Sequence, residues 1–302
     1  MRVLVTGAAG FVGSRCVNML VSAGHEVTAT DKLSGNGLSQ VDLMDFAKVN
    51  KLIGDSRIEA VVHLAAISGT TGKNEVEQSM RQPYLNFLVN TMGVTNVCEA
   101  CRLHEVKKII YLSTFAVYGK LDPDRLPIRE ETPVKPEHAY GVSKLLGEEV
   151  LRTYSSDFGI SSTIFRAPFI VGPFQKEKNV LRELLESATK DQNLKIFGRG
   201  VHRREFIYVD DVVRAFMLAL DSASYKSKSD LFILGNTPVT IEQLAKCIIS
   251  KLRKGKIEFL PGKTDRTFDQ FTDYSKARTN LNWTPSLDVD GIVRQIIDVE
   301  HL

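Results

Sequence analysis

The sequence predicts an α/β fold, a doubly wound parallel sheet with a smaller, interleaved C-terminal lobe. Three observations support this. A glycine-rich segment directly follows the first apolar stretch, apolar stretches then alternate with helical periods, and after Arg166 the rhythm changes to irregular stretches rich in glycine and charge. We therefore expect a sheet domain over residues 1–166 and a lobe mainly over residues 167–302, with residues near 205–222 packing back on the sheet domain.

The first element is a strand that runs into a turn with three glycines. Arg2–Thr6 is apolar enough for a buried strand, and a helix is predicted over residues 14–23. Between them, Gly7 permits a tight turn, Gly10 lets the backbone approach a pyrophosphate, and Gly13 lets the helix pack closely on the sheet. The free N–H groups of the helix N-terminus favour phosphate. The unit predicts a Rossmann-like dinucleotide site, a ligand-free glycine turn being the alternative.

The second strand indicates which dinucleotide is bound. It is predicted over residues 26–30 and ends at Asp31, about 20 residues beyond the glycines. A carboxylate there accepts hydrogen bonds from both hydroxyls of an adenosine ribose and repels a 2′-phosphate. The sequence therefore favours NAD over NADP, although the neighbouring cation Lys32 works against strict discrimination. A solvated turn residue is the alternative role for Asp31.

Composition limits the classes of function. The chain has 302 residues, of which 43% are hydrophobic and 25% charged, with a formal net charge of +3, so we expect a large globular core. Because positive and negative side chains are interspersed, we predict no nucleic-acid partner and no membrane-surface patch. The chain begins with the first strand and has no apolar run long enough for a bilayer, so a cytoplasmic protein is expected.

The four cysteines do not indicate a disulfide framework. Cys98 and Cys101 have a C-x-x-C spacing inside a helix predicted over Gly93–Leu103, but no second pair or histidine follows at zinc spacing. Buried small apolar side chains are therefore expected, and no metal site is predicted.

The remaining elements follow the same alternation. Three more strands are predicted over residues 60–64, 108–113 and 162–165, and a further helix over residues 209–220. Strands that alternate with helices in this way form parallel sheets.

A second group of residues carries candidate chemistry. Tyr140 and Lys144 lie four residues apart and project from one face of a predicted helix. A phenol titrates near ~10 in water, and a nearby ammonium and a nicotinamide cation both favour its phenolate. Ser113 and Thr114 place two hydroxyls at the carboxyl end of a strand, where open α/β sheets bind ligands. The pair of Tyr140 and Lys144 is common by chance on helices, so this prediction depends on the other motifs.

Together the glycine loop, Asp31, residues 109–119 and the segment Tyr140-Gly-Val-Ser-Lys144 resemble the extended short-chain dehydrogenase/reductase family, in its NAD-dependent epimerase/dehydratase branch. The resemblance covers essentially the whole chain. It implies that Thr114 hydrogen-bonds the reacting oxygen, that Tyr140 is the acid/base, and that Lys144 is its partner.

The resemblance also implies further cofactor contacts. Asn90 resembles the helix asparagine that supports the active-site lysine. The other expected contacts are the pair near the adenine, the loop under the cofactor, and neighbours of the glycines and strand ends: Asp42, Leu43, Leu64, Ala65, Ala66, Phe11, Val12, Ser113 and Pro168.

The C-terminal half resembles nucleotide-sugar enzymes of the family. Arg204, followed by residues 205–211, matches a segment whose arginine contacts a diphosphate, a task suited to its bidentate fork. Asn179 and Arg266 are further expected substrate contacts, with Lys263 offering a charge in a register close to that of Arg266.

Two departures from the family pattern narrow the reaction. Phe169 stands where the family often has an asparagine, so we expect it to line an altered substrate pocket. Phe115 and Ala116 stand where the family's sugar 4,6-dehydratases carry an Asp-Glu pair. The resemblance thus implies a 4-epimerase of a nucleotide-activated sugar, working by transient hydride transfer to NAD. A nucleotide 4-ketosugar reductase that uses NAD(P)H is the alternative, and a dinucleotide-binding sensor or RNA-binding scaffold is the non-catalytic one.

The resemblance further suggests association. Family members often dimerise through two helices, which correspond here to residues 84–104 and 140–154. A homodimer is therefore expected.

Overall fold

The computed structural model describes residues 1–35, 37–67, 82–221, 229–261 and 269–302. Its strands are β1 (Arg2–Thr6), β2 (Glu26–Asp31), β3 (Ser39–Gln40), β4 (Ala60–His63), β5 (Lys108–Thr114), β6 (Ser161–Ala167), β7 (Phe169–Val171), β8 (Leu194–Phe197), β9 (Arg203–Arg204), β10 (Phe206–Tyr208), β11 (Ser229–Ile233), β12 (Val239–Thr240) and β13 (Ile257–Leu260). Its α-helices are α1 (Phe11–Ser22), α2 (Phe46–Asp55), α3 (Pro83–Phe87), α4 (Gly93–Leu103), α5 (Ala139–Phe158), α6 (Val180–Thr189), α7 (Val209–Asp221), α8 (Ile241–Leu252), α9 (Ser275–Leu281) and α10 (Val289–Glu300).

A seven-stranded sheet forms the centre of the molecule, in the order β11-β6-β5-β4-β1-β2-β3. All neighbouring strands in it run parallel. The strand order reverses at β1, because the chain continues to β2 on one side and later returns to β4 on the other. Ligands bind at such a reversal, outside the carboxyl ends of the strands. The predicted doubly wound parallel sheet is confirmed.

Both faces of the sheet are covered, which explains why its strands are continuously apolar. In β1, Val3 and Val5 point into the core beneath α1 and α7, whereas Leu4 points into the core beneath α2, α4 and α5. The exposed fraction of each of these three residues is 1% or less, and their alternation follows the two-residue period of a strand.

The seventh strand comes from the C-terminal half of the chain. The five strands predicted from sequence did not include β11, which pairs in parallel with β6 at the edge of the sheet. Helix α7 packs on α1, and Arg15 Nε donates to Asp210 Oδ1 at 2.8 Å between them. C-terminal segments are thus interleaved with the N-terminal ones.

The rest of the C-terminal half has its own core. Helices α6, α8 and α10 pack there on short two-stranded pairings, β7 with β10 and β8 with β13. Cys98 and Cys101 are buried thiols, as the sequence predicted. Cys16 is buried too, and Cys247 is partly buried. Among the described residues, the helices are too short or too polar to cross a membrane.

Candidate active site

The glycine turn after β1 forms a tight cradle. Gly7 has a φ of +69°, and a Cβ there would lie 2.6 Å from the backbone nitrogen of Ala65. A Cβ on Gly13 would lie 2.0 Å from the carbonyl oxygen of Gly7. Gly10 precedes α1 in an extended conformation, and no described side chain caps that helix. The first N–H groups of α1 are therefore available to an anion.

Asp31 lies beside this cradle at the end of β2. One of its carboxylate oxygens, Oδ2, accepts from the backbone N–H of Ala9 at 3.1 Å, and the other accepts from that of Leu33 at 3.1 Å. The carboxylate is thus held against the glycine turn. Lys32 is exposed next to it.

The pair expected near the adenine is already engaged with the protein. Asp42 Oδ1 accepts from the N–H of Met44 at 3.0 Å. Leu43 belongs to the core under α4, and its carbonyl accepts from Asn96 Nδ2 at 2.7 Å. Any contact of Leu43 with a ligand would therefore have to come from a small exposed part of the residue.

One cavity of about 980 Å³ joins the cradle to the carboxyl end of the sheet. Predicted site residues from both halves of the chain line it: Gly7, Gly10, Phe11, Val12, Gly13, Leu64, Ala66, Ser113, Thr114, Tyr140, Lys144, Pro168, Phe169 and Asn179. Other predicted residues are described but are not among its lining: Asp31, Lys32, Asp42, Leu43, Ala65, Asn90 and Arg204. Arg266 and Lys263 lie outside the described residues.

Helix α5 carries Tyr140 and Lys144 into this cavity. Lys144 is only 3% exposed, and its Nζ lies 3.8 Å from the centroid of the Tyr111 ring. Burial lowers the pKa of Lys144 to about 7, although the carboxylate of Glu148 acts in the opposite direction. A lysine of this kind changes charge near neutral pH and is sensitive to any charge placed beside it.

Thr114 ends β5 and begins the next turn. Its Oγ1 accepts from the N–H of Ala116 at 3.2 Å and so caps a short 3₁₀ turn, Phe115–Val117. This bond fixes the oxygen and leaves the hydroxyl proton for another acceptor.

Asn90 holds two parts of the site together from a buried position. It lies in a π-helical turn, Leu88–Met92, between α3 and α4. Its Oδ1 accepts from Ile67 N at 2.8 Å, and its Nδ2 donates to Ile67 O at 3.1 Å and to Ser143 Oγ at 3.0 Å. The side chain thereby joins the segment after β4 to the residue that precedes Lys144.

The hydroxyl of Ser113, although this residue lines the cavity, is hydrogen-bonded to another side chain of the protein. Its Oγ donates to Glu148 Oε1 at 2.6 Å, and both side chains are buried. Sequence reasoning missed Glu148 and its partner Arg166. One signal was present, since Glu148 follows Lys144 by one more step of four residues on the same helix face.

The C-terminal half contributes both aromatic and polar residues to the cavity wall. Phe169 stacks on Phe206, with ring centroids 5.8 Å apart and an interplanar angle of 28°. Asn179 caps α6 by accepting from Arg182 N at 3.1 Å. Arg204 Nη1 donates to Arg203 O at 2.9 Å, and burial lowers the pKa of its guanidinium.

These features define a dinucleotide-dependent enzyme with a tyrosine and a lysine at the carboxyl end of its sheet. Residues 3–235 match the model of the NAD dependent epimerase/dehydratase family. The chain belongs to that family, which confirms the predicted family and NAD as its cofactor. The glycine cradle and the uncapped start of α1 fit the pyrophosphate of such a cofactor.

Individual relatives match over nearly the full chain. The UDP-glucose 4-epimerase of Lactobacillus helveticus is 30% identical, with 97% of this chain and 95% of the relative covered. The UDP-glucose 4-epimerase of Thermotoga maritima, solved with UDP-glucose, is 27% identical with a TM-score of 0.88, covering 100% and 99% of the two chains. That of Thermus thermophilus, solved with NAD, is 27% identical with a TM-score of 0.85, covering 99% and 98%.

Proposed function

We propose that this protein is a 4-epimerase of a nucleotide-activated hexose, with UDP-glucose and its C4 epimer as the first candidates. The observation that carries the proposal is that Thr114, Tyr140 and Lys144 line the same cavity as the glycine cradle. The relatives named UDP-glucose 4-epimerase support the nucleotide and the sugar.

The three side chains divide the proton chemistry between them. NAD, when bound, supplies a reversible hydride acceptor. Tyr140 Oη takes the proton of the sugar's 4-hydroxyl, and Thr114 donates a hydrogen bond to the same oxygen, which becomes a ketone. Lys144, while protonated, stabilises the phenolate of Tyr140. The keto sugar then rotates within the cavity to present its opposite face, so the returning hydride would invert C4 while Tyr140 gives the proton back to that oxygen.

Residues next to Thr114 argue against elimination of water from the sugar. Phe115 is buried and Ala116 lines the cavity, so neither position offers a carboxyl group to move the additional protons of a dehydratase. A nucleotide 4-ketosugar reductase remains the second candidate because it needs only the same three side chains.

Incubation of the purified protein with UDP-glucose, without added cofactor, tests the proposal. We expect NAD to be released on denaturation and the C4 epimer to appear in the proton NMR spectrum. GDP- and dTDP-sugars serve as comparison substrates. Conversion that occurs only with added NADPH and a 4-ketosugar would favour the reductase.

The variant Tyr140→Phe tests the acid/base assignment. It keeps the ring but removes the proton carrier, so it should retain bound NAD and lose at least about a thousandfold in kcat. Normal turnover by this variant would refute the role of Tyr140.

We also propose that the protein forms a homodimer through α3, α4 and α5. These helices expose apolar side chains, among them Tyr84 (71%), Leu103 (48%) and Leu146 (41%). Light scattering should give a dimer for the natural protein and a smaller species for Leu146→Glu.

The free thiols support a reducing location, and we propose the cytoplasm.

A further inference from the structure

A fully buried ion pair lies directly behind the catalytic side chains. Arg166 donates from Nε to Glu148 Oε1 at 2.9 Å and from Nη2 to Glu148 Oε2 at 2.6 Å. The side chains of Glu148 and Arg166 are 0% and 3% exposed. Taking two charges out of water is costly, and their attraction often does no more than offset this loss. Stability alone is therefore a weak reason for the pair to be there.

Three further contacts hold the pair. Arg152 Nη2 donates to Glu148 Oε2 at 3.5 Å from a side chain that is 37% exposed, and two buried groups are the closer anchors. Ser113 Oγ donates to Glu148 Oε1 at 2.6 Å. Arg166 Nη1 donates to the hydroxyl of Tyr118 at 2.9 Å, and the guanidinium also lies over the Tyr118 ring, 4.9 Å from its centroid. Both polar ends of the pair are thus fixed by neighbours, as a buried ion pair requires.

The two members of the pair and their anchors Ser113 and Tyr118 connect different segments of the candidate active site. Ser113 immediately precedes Thr114 on β5, and Glu148 follows Lys144 by one helical turn on α5. Arg166 lies at the end of β6, immediately before the residues that line the substrate side of the cavity. Tyr118 follows the 3₁₀ turn that Thr114 caps.

We propose that the Glu148–Arg166 pair is a positioning element of the active site, which fixes Thr114 relative to Tyr140 and Lys144 and sets the charge that Lys144 experiences. This inference rests on the proposed roles of those three residues in epimerisation. Neither Glu148 nor Arg166 is assigned contact with substrate or cofactor.

Several titratable groups of the described residues surround Lys144, and Arg152 reaches Glu148 Oε2 at 3.5 Å from one turn further along α5. Tyr140 and Glu148 flank it on α5, Tyr111 faces it from β5, and His63 lies near it on β4. Burial, with the charge of Lys144 as a second cause, lowers the pKa of His63 to about 3, so His63 is neutral at working pH. Arg166 therefore acts on Lys144 through the carboxylate it neutralises, and a change in either member of the pair alters the local charge.

Two neutral substitutions of the holoenzyme test the charge effect in opposite directions. Glu148→Gln leaves Arg166 as an unpaired cation, so the titration midpoint of Lys144 should fall by about one pH unit. Arg166→Gln leaves Glu148 with only the partly exposed Arg152, 3.5 Å away, as a cationic partner, so the midpoint should rise. The midpoint is measured by NMR of lysine labelled with ¹³C and ¹⁵N, with Lys144→Met assigning the signal, and as the Lys144-dependent limb of the kcat profile against pH.

If the Glu148–Arg166 pair had only a structural role, both variants would lose stability, but the Lys144 midpoint would not shift in opposite directions. Shifts in the same direction, or none in folded protein, would overturn the charge effect. Because the NMR midpoint does not involve a sugar, opposite shifts in a protein that fails to convert UDP-glucose would refute the proposed function and leave the charge effect supported. Epimerisation of UDP-glucose by a protein whose Lys144 midpoint is unchanged in both variants would support the proposed function and refute the charge effect.

The double variant Glu148→Met with Arg166→Met tests the positioning effect and serves if a single variant does not fold. It removes both charges at similar volume, so the Lys144 midpoint should stay close to that of the natural protein. Without the anchors to Ser113 and Tyr118, kcat should still fall between about ten- and a hundredfold. Unchanged kcat in the folded double variant would overturn the positioning role.

Discussion

Replacing Lys144 with methionine should stabilise the cofactor-free protein while abolishing its activity. The side chain is 3% exposed, and burial lowers its pKa from 10.5 to about 7. Each unit of pKa difference corresponds to about 1.4 kcal/mol, so the folded state bears a cost on the order of 4 to 5 kcal/mol at low pH. Methionine has a similar length and no charge, and it avoids this cost.

The effect of Lys144→Met should depend on pH in a defined way. Below pH 7 the lysine is protonated in both the folded and the unfolded chain, and the full cost is present. Between about pH 7 and 10.5 the unfolded chain holds a proton that the folded protein has released, so the natural protein gains stability as pH rises. The advantage of the methionine variant should therefore be largest near pH 6 and shrink by about 1.4 kcal/mol per pH unit above 7.

Urea unfolding of protein stripped of nucleotide, at pH 6, 7.5 and 9, measures this dependence. Lys120→Met is a matched control, because Lys120 lines the same cavity but is exposed, and it should change stability little at any of these pH values. A destabilised Lys144→Met, or a stability difference that stays constant with pH, would refute the reasoning.

Three other predictions concern the cofactor cradle and the C-terminal half. Asp31→Ala should weaken binding of NAD more than of NADP, and calorimetric titration that finds equal losses would refute Asp31 as the selecting residue. Gly13→Ala should prevent NAD binding, because its Cβ would lie 2.0 Å from Gly7 O, whereas Gly93→Ala meets only ordinary contacts beginning at 3.6 Å and should bind NAD normally. Glu205 has a pKa raised by burial to about 8, so its contribution to stability falls as pH rises from about 4.5 to 8, and Glu205→Gln should flatten that part of the profile of urea midpoints against pH.

Local signals made the cofactor end of the molecule predictable. The strand Arg2–Thr6 was predicted with its observed bounds, because an uninterrupted apolar stretch before a glycine is typical of a parallel strand buried on both faces. The first helix was predicted to start at residue 14, but it starts at Phe11. The helix begins directly after Gly10, so its first turn, Phe11–Gly13, contains a glycine and lacks the side-chain cap that normally marks a helix start in a sequence.

Local sequence patterns did not predict contacts between segments that are distant in the chain. Strand β11 was missed because its five residues have no distinctive periodicity and it joins the sheet only by pairing with β6. Ser113 was interpreted as a cofactor contact because it ends a strand at the ligand edge. Its bond to Glu148 depends on the folding of α5 against β5, which sequence spacing does not reveal.

The two sides of the cavity differ in how firmly their residues are held. Glu148 and Arg166 are buried and bonded to each other, and Lys144 is buried against the Tyr111 ring, so a substitution there disturbs several segments at once. Phe169 and Asn179 are only partly buried, and their bonds are to near neighbours in the C-terminal half. We therefore propose that selectivity for the sugar is set around Phe169 and Asn179, whereas a change of reaction requires rebuilding the buried network.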